Sequence, residues 1–523
     1  MTIYKAPGVY VEEIPSAQQP IAGVGTNTVA FIGIVPPQIQ YPVPKEYNPY
    51  LAKKQSESTA TGSATLVDSA AIKSETATLE GSKKIAVSSE DNIKIEPDIH
   101  GSKAESEKNK TENSNKIKGS KTELEEAPPS DAAPTANKDT IRPYQLETFD
   151  VKPAPFITKL CTTFTDYTKN FGPFSADDPD KEHGVAFSPG HRALTHAVYG
   201  FFRAGGTRCF VVRVESDNEA ELDKALKAVE SIEAVAIVAS PGLDQNQKVW
   251  DQLIAHCAKT EDRFAILDSP AEVNGTDGDF DITLLSYDNA NSVLPKPNKN
   301  AAFYFPWIEV IDPAVELQDQ DPARNVEKKY RGRVFIPPSG HVAGIYARTD
   351  AERGVHKAPA NVAISGALNV KYYLSKIHQE RLNPQGVNCI RNINGSIQVW
   401  GARTIGPEEH PEWKYINVRR VMLFLRDSID HGTQWVVFEP NDIALWGKIR
   451  RNVTAFLTNV WRSGALFGAT PEEAFYVKCD AELNPPEVRD LGQVITEIGV
   501  AIVRPAEFVI FRISQSNGTN PTN

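Results

Sequence analysis

The chain has 523 residues, too many for one ordinary hydrophobic core, so it predicts about two to four domains. Its formal net charge of −11 argues against non-specific binding to nucleic acid or to anionic membranes, because both favour basic surfaces. The five cysteines are far apart and never form a C-x-x-C pair. This spacing argues against a disulfide scaffold or a zinc ribbon and favours reduced thiols.

The N-terminus carries no apolar signal stretch, and no apolar run approaches the roughly 20 residues that span a bilayer. We therefore expect a soluble chain that is made in the cytoplasm. Neither export through a signal peptide nor direct insertion into a membrane is predicted.

The first predicted element is a strand over residues 8–14, where β-favouring residues occupy the middle of the segment. Residues 15–25 separate it from the next apolar run at 28–36, so the strand has no hairpin partner nearby. We interpret residues 1–22 as an N-terminal arm with its linker and residues 23–50 as the start of the folded core.

One compositional break dominates the chain. Residues 51–143 contain no aromatic side chain and are rich in Ser, Thr, Lys, Glu and Ala. Such a segment cannot bury enough apolar surface to offset its loss of chain entropy. Two interpretations remain open: a mostly flexible, solvated insertion, or a small appended domain with short strands at 85–87 and 93–95.

Helical and strand patterns alternate after the insertion, which is typical of an α/β layer. The Gly205-Gly206 pair ends the first helix, as expected at a helix C-terminus. We assign residues 144–400 to the middle α/β part of the protein. The predicted helices cover 189–204, 219–231 and 249–259, and the predicted strands cover 208–214, 234–239 and 263–268.

The last third has a different pattern of apolar residues, which predicts a separate α+β domain over residues 401–523. Two helices are expected there, one of them long, followed by short strands. The predicted helices cover 418–430 and 441–463, and the predicted strands cover 474–479, 499–505 and 508–513.

Three groups of residues suggest chemistry, and none has the required pattern. The glycines at 23 and 25 lack the third glycine of a dinucleotide loop and precede a strand. His191 and His196 are five residues apart, which does not place two metal ligands on one helix face. Ser339 and His341 lie in a Pro-rich segment that reads as a loop without a nucleophile elbow. We expect no catalytic residue, no metal and no cofactor; the enzyme alternative is a hydrolase that uses Ser339 or His341.

The two ends of the chain have the character of unfinished β-structure. The segment 508–513 is apolar on both faces, so it needs burial on both sides and would aggregate if left on an exposed edge. Either the ends add to the sheet of another copy, or they pair within their own chain. The residues that would form such arms are Val9, Tyr10, Val11, Ile14, Phe508, Val509, Ile510 and Phe511.

A series of short motifs runs in one order along residues 1–35 and 150–515. They are Y-K-A-P-G-V-Y-V-E-E at 4–13, F-F-R-A-G-G at 201–206, V-V-R-V at 211–214, A-A-F-Y-F-P-W at 301–307, P-P-S-G-H-V-A-G at 337–344, G-V-H-K-A-P-A-N at 354–361, L-N-P at 382–384, V-W-G-A-R-T at 399–404, R-R at 419–420 and R-P-A-E at 504–507. The series resembles the contractile tail sheath proteins of phages and of phage-derived injection systems. The insertion 51–143 has no counterpart in this resemblance, although the family varies by insertions on its outer surface.

The resemblance implies an α/β middle domain and a C-terminal α+β domain whose sheet is completed by the terminal arms of neighbouring subunits. It implies a homo-oligomer of six-membered rings around an inner tube protein, with baseplate and terminal cap proteins as further partners. It implies no nucleic-acid partner. Contraction would drive the tube into a target cell, and the particle would be assembled in the bacterial cytoplasm and released by lysis. The runner-up is a non-contractile filament or shell protein that assembles by the same strand exchange.

For the inner tube contact we favour the long helix that follows Asn441 and Asp442. Its basic side chains would meet an acidic tube exterior, and exposed charge pairs worth about 0–1 kcal/mol each suit a contact that must release together. The alternative is an ordinary amphipathic helix with a solvated basic face. The basic residues are Lys448, Arg450, Arg451 and Arg462. Elastic linkers are expected at 15–25 and near Pro505.

Overall fold

The computed structural model describes residues 20–45, 142–177 and 187–510. The chain divides into two units, residues 1–46 with 141–523, and residues 47–140. The second unit lies outside the described residues, as do the arm residues Val9, Tyr10, Val11, Ile14 and Phe511. The strands expected at 8–14, 85–87 and 93–95 therefore stay predictions.

The described residues form 16 strands and 11 α-helices. The strands are β1 (Val29–Ile34), β2 (Gln38–Pro44), β3 (Tyr144–Asp150), β4 (Lys159–Cys161), β5 (Cys209–Val214), β6 (Ile237–Gly242), β7 (Phe264–Asp268), β8 (Ala301–Phe305), β9 (Ile308–Ile311), β10 (Arg333–Ile336), β11 (Val362–Ala363), β12 (Asn369–Val370), β13 (Val387–Ile393), β14 (Ser396–Trp400), β15 (Phe475–Lys478) and β16 (Glu497–Val500). The helices are α1 (Phe164–Phe171), α2 (Pro189–Arg203), α3 (Glu219–Glu230), α4 (Gln247–Thr260), α5 (Pro313–Gln318), α6 (Ser339–Arg353), α7 (Lys376–Leu382), α8 (Ile416–Thr433), α9 (Ile443–Arg462), α10 (Pro471–Ala474) and α11 (Pro486–Asp490).

A nine-stranded mixed sheet is the centre of the fold. Its strand order is β11-β14-β13-β8-β7-β6-β1-β5-β4, and the six strands from β13 to β5 run parallel. The parallel strands are buried on both faces: Phe31 and Ile266 face the layer that contains α2 and α6, whereas Ile32 and Leu267 face the layer that contains α3 and α4. The predicted α/β alternation over 189–268 is confirmed, with element ends shifted by a few residues.

Helices α2 and α6 cross at unusually close range, and glycines make the approach possible. A Cβ atom at Gly340 would lie 2.2 Å from the Cα of Ala197, and one at Gly344 would lie 2.5 Å from the carbonyl oxygen of Phe201. The prediction of a Pro-rich loop around Ser339 and His341 is therefore wrong, because Ser339 is the first residue of α6 and this helix is packed into the core. The loop prediction failed because it used local composition, whereas a tertiary contact decides the conformation.

The strands β2 and β3 form an antiparallel pair and are the last strand before and the first strand after residues 46–141 in the sequence. Pro44 pairs with Tyr144 at the end of the ladder, and the backbone N–H of Lys45 donates to the carbonyl of Pro143 at 3.0 Å. The chain thus leaves the fold and returns to it at neighbouring positions.

The C-terminal region packs α8 and α9 against the small sheet β15–β16. Leu425, Val453 and Leu457 lie in its core, and the rings of Phe424 and Phe456 are 6.1 Å apart. The two predicted helices are confirmed, and the strand predicted at 474–479 is present as β15. The strand predicted at 499–505 is misplaced, because β16 ends at Val500 and the following residues make only isolated contacts.

Candidate assembly sites: the arm roots, the small sheet and the long helix

The first described residues of the chain lie along helix α8. We call residues 20–26 the N-terminal root. Ile21 is buried against Gly432, where an added Cβ would lie 2.6 Å from the Ile21 side chain, and the backbone N–H of Val24 donates to the Ser428 hydroxyl at 3.1 Å. The linker predicted at 15–25 is therefore held to the fold from residue 20 onward.

A buried ion pair fixes the inner end of the N-terminal root. Arg420 on α8 donates from both terminal nitrogens to the Asp350 carboxylate, at 2.9 and 2.6 Å, and each side chain is only 4% exposed. The same guanidinium donates to the carbonyl of Thr26 at 2.9 Å, and the Thr26 hydroxyl donates to Asp350 at 2.6 Å. Burial alone lowers the pKa of Arg420, but the Asp350 charge outweighs it and holds that pKa above its ordinary value.

Residues near the end of the described chain contact the opposite end of the same helix. We call residues 502–507 the C-terminal root. Its backbone is tied at Val503, whose N–H donates to the carbonyl of Ala465 at 3.1 Å and whose carbonyl accepts from the Asn417 amide at 3.1 Å. The stretch near Pro505, predicted to be an elastic linker, is thus attached to the fold two residues before that proline.

Glu507 is the last residue of the C-terminal root, and its carboxylate accepts four hydrogen bonds in a pocket of the protein. Arg403 donates to both carboxylate oxygens at 2.8 Å, Asn383 donates to Oε1 at 2.8 Å, and Tyr415 donates to Oε2 at 2.9 Å. The Arg403 side chain is 7% exposed and that of Glu507 is 20% exposed. Burial by itself would raise the pKa of Glu507, but the hydrogen bonds from Arg403, Asn383 and Tyr415 hold it below its ordinary value.

The arm residues immediately beyond this pocket leave the protein surface. Phe508, Val509 and Ile510 are 70%, 69% and 79% exposed and belong to no strand. The sequence predicted a strand here, and among the described residues these three pair with no strand. Three consecutive apolar side chains in water are unfavourable, because each loses the roughly 1.5–3 kcal/mol that burial would give.

The C-terminal region contains a small sheet of two strands. Within the described ranges, β15 and β16 pair only with each other, over four residue pairs. A groove of about 620 Å³ adjoins this sheet and α8; its lining includes the apolar Leu425, Ile498 and Val500 but consists mostly of polar and charged residues, such as Asp262 and Asp430. A sheet of only two strands gains stability from added strands, so this one is a candidate to receive them.

The long helix α9 places three of its four predicted basic residues on one face. Lys448, Arg451 and Arg462 fall within about 60° of one another at 3.6 residues per turn. Arg451 and Arg462 are exposed, Lys448 is half-buried, and no ion pair involving these three occurs in the described part of the chain. Arg450 points elsewhere and donates to the carbonyl of Cys479 at 3.2 Å. The structure therefore brings three of the four residues together.

The residues considered for chemistry are buried structural groups. His191 lies 2.9 Å from the carbonyl of Phe171, and His196 lies 3.0 Å from the Asp312 carboxylate. Ser339 and His341 are buried in the contact of α6 with α2, where desolvation lowers the pKa of His341 to about 3 and makes it a poor base near neutral pH. Among the residues that the structure covers, no cluster of metal-ligating side chains is found.

None of the helices in the described ranges is long and apolar enough to cross a membrane.

Two protein-family models match this chain, and together they cover more than half of it. The phage tail sheath protein central domain matches residues 218–405, and the phage tail sheath C-terminal domain matches residues 408–516. The chain belongs to the phage tail sheath family. The family predicted from the motif series is confirmed, and membership in a family of structural proteins implies a non-enzymatic role.

Curated tail sheath relatives are similar over part of their length. The putative prophage major tail sheath protein of Pseudomonas aeruginosa is 26% identical over 210 residues, which are 39% of this chain and 50% of that protein. The tail sheath protein of Vibrio phage KVP40 is 27% identical over 188 residues, which are 35% of this chain and 26% of that protein. The matched region thus spans about a quarter to a half of the length of these relatives.

Solved sheath structures share the fold over nearly the whole chain. The contracted sheath of an extracellular contractile injection system, PVC, gives a TM-score of 0.59 at 22% identity and covers 99% of both chains. The contracted helical sheath of the anti-feeding prophage gives 0.58 at 21% identity and covers 98% of this chain and all of the other. The mixed α/β architecture with its large mixed sheet is therefore that of a sheath protein.

The two carboxylate pockets at the arm roots were not predicted from the sequence. The motif series contained their parts, with Arg403, Arg420 and Glu507 each inside a different motif. Glu507 follows Arg403 by 104 positions, so spacing gives no sign that they meet. A charged residue within each of several widely spaced family motifs was the available signal, because buried charges are retained only where a partner satisfies them.

Proposed function

We propose that this chain is a structural sheath subunit that polymerises into a helical, six-start contractile tube around an inner tube and drives ejection of that tube on contraction. The observation that carries the proposal is the pair of arm roots on α8. Each root is held by a buried or half-buried Arg–carboxylate pair, while the apolar residues just beyond Glu507 project into solvent. Because the root is fixed to the fold while the apolar residues beyond it stay exposed, those residues are available to bind another molecule.

The small sheet β15–β16 is the proposed receptor for arms of neighbouring subunits. Its two strands leave backbone groups available for added strands, and Leu425, Ile498 and Val500, the apolar part of the adjoining groove, would take alternate side chains of an incoming strand. Each buried Val, Ile or Phe of an arm would contribute roughly 1.5–3 kcal/mol before the entropy cost of ordering. The arm residues Val9, Tyr10, Val11, Ile14, Phe508, Val509, Ile510 and Phe511 are proposed to make this contact.

Rings of six subunits would then be joined into a mesh by paired arms. The extended sheath is the metastable state, and a baseplate signal lets subunits rotate and move outward while the arms remain paired. The solved relatives support this proposal, since two of them are contracted sheaths and a third is a baseplate of the anti-feeding prophage. A terminal cap would complete the set of partners, and the particle would be assembled in the bacterial cytoplasm and released by lysis.

Electron microscopy of the purified chain tests the proposed function. We expect wide, hollow, short tubes in the contracted state, because the sheath without its inner tube has nothing to hold it extended. Narrow solid filaments or closed shells would instead support the alternative, a non-contractile protein that assembles by the same strand exchange. Protein that stays monomeric at high concentration would contradict both.

The inner tube contact is proposed to use the α9 face formed by Lys448, Arg451 and Arg462. Reversing these three charges together, as Lys448→Glu, Arg451→Glu and Arg462→Glu, is expected to lower co-assembly with the inner tube protein about tenfold, since three exposed pairs of about 0.5 kcal/mol each sum to a factor of this size. Sedimentation of co-expressed sheath and tube measures the effect.

The control for this prediction carries the same change in net charge elsewhere. Lys227→Glu, Lys248→Glu and Lys259→Glu alter exposed lysines of α3 and α4. Empty sheath should form from both triple variants, and only the α9 variant should lose the tube. Equal co-assembly of the two variants would show that α9 does not face the tube.

A further inference from the structure

We propose that Glu507 in its pocket is the anchor at which the pull of the C-terminal arm enters the subunit, and that α8 carries this load to the N-terminal root. The inference rests on the proposed function, because it assumes that the arms join subunits. It gives Glu507 and helix α8 a role in transmitting force between subunits, which the proposed function does not include.

The pocket has the geometry of an anchor. Four hydrogen bonds from three different parts of the chain converge on one carboxylate, and the two from Arg403 are bidentate, which fixes direction as well as distance. Glu507 is also the last residue of the root with such ties, because Phe508 is already exposed. A force on the arm beyond residue 507 therefore reaches the fold first through this side chain.

Helix α8 connects the two roots. Tyr415 precedes its first residue and donates to Glu507, and Asn417 in its first turn holds Val503. Arg420 grips the inner end of the N-terminal root, and Ser428 and Gly432 hold the same root near the far end of the helix. The helix has 18 residues and is about 27 Å long, so it is a stiff strut between the two departing arms.

The competing explanation is that the pocket only stabilises the folded subunit. In that case its loss would lower the thermal stability of the subunit and change assembly only through that loss. An anchor instead lowers the yield of assembled sheath even among subunits that remain folded, because the arm beyond Glu507 is no longer tied to Asn383, Arg403 and Tyr415.

The test compares the full-length chain with Glu507→Gln, with Glu230→Gln and with a truncation that removes residues 508–523. Glu507→Gln keeps the shape of the side chain but leaves the Arg403 charge without its partner. Glu230→Gln is the matched control, because Glu230 forms an exposed pair with Lys259 at 2.7 Å. Hydrogen exchange of peptides from 500–510 and from 443–462, thermal unfolding of subunits, and the yield and urea resistance of sedimented tubes are measured.

For Glu507→Gln we expect faster exchange at 500–510 with no change at 443–462, and tube yield about tenfold lower even where thermal unfolding shows that the variant subunits are folded, because the arm has lost its charge-assisted anchor. Glu230→Gln should match the wild type. If Glu507→Gln subunits do not fold, Tyr415→Phe removes a single bond of the pocket and should give a smaller loss in the same direction. Wild-type tube yield and urea resistance in whichever variant folds, alongside a truncation that forms no tubes, would overturn the anchor and leave the proposed function standing. Normal tubes from the truncation would instead refute arm exchange at this end.

Discussion

Deletion of residues 1–14 is expected to yield a soluble monomer that forms no tubes. The deletion removes Val9, Tyr10, Val11 and Ile14, whose burial between subunits would contribute roughly 1.5–3 kcal/mol each before ordering costs. Six-fold rings joined through such arms lose every link made by this end, so the expected effect is complete loss of assembly. Electron microscopy and sedimentation of the purified variant measure it.

The deletion should leave the folded subunit intact, because the N-terminal root begins later. Ile21 stays in its site against Gly432, Val24 keeps its bond to Ser428, and Thr26 keeps its contacts with Asp350. The circular dichroism spectrum and thermal unfolding of the monomer should therefore match those of the full-length subunit.

A deletion of equal length within 51–143 is the matched control. Removing residues 101–114 shortens the chain by the same number of residues in the segment that lacks aromatic side chains and has no proposed role in the mesh. This control should form tubes normally. Normal tubes from the deletion of 1–14 would refute the assignment of the N-terminal arm to the mesh.

The central α/β layer could be predicted because its information is local. Apolar runs such as those of β5 and β7 are buried on both faces, the helices between them have a 3.6-residue apolar period, and glycine marks the end of α2. The predicted ends of α3 and β7 differ from the structure by a single residue. The long helix α9 was predictable for the same reason, together with Asp442 at its N-cap.

The arm roots could not be predicted because their contacts are distant in sequence. Arg420 reaches the carbonyl of Thr26 across 394 positions, and Tyr415 reaches Glu507 across 92. The resemblance instead suggested elastic linkers at 15–25 and near Pro505. A segment outside helices and sheets can still be held in place by hydrogen bonds from distant side chains to its backbone. The sequence does not show which side chains make these bonds.

Replacing Asp350 by asparagine is expected to lower the free energy of unfolding by about 3–5 kcal/mol, the usual cost of leaving one member of a buried ion pair alone. The substitution keeps the shape of the side chain but leaves the Arg420 guanidinium, 4% exposed and stacked 4.8 Å over the Tyr346 ring, without a counter-charge. It also weakens the grip on Thr26, so the N-terminal root should loosen together with the core. Urea unfolding of subunits kept below the concentration of assembly measures the change.

Asp223→Asn gives the matched comparison, because it makes the same chemical change in an exposed pair on α3. Asp223 and Lys227 are four residues apart and both are more than half exposed, so the loss should stay below about 1 kcal/mol. The difference between the two variants isolates the effect of burial from that of removing a carboxylate. If both variants unfold at the same urea concentration, the Arg420–Asp350 pair does not stabilise the junction, and α8 is not fixed to the N-terminal root through it.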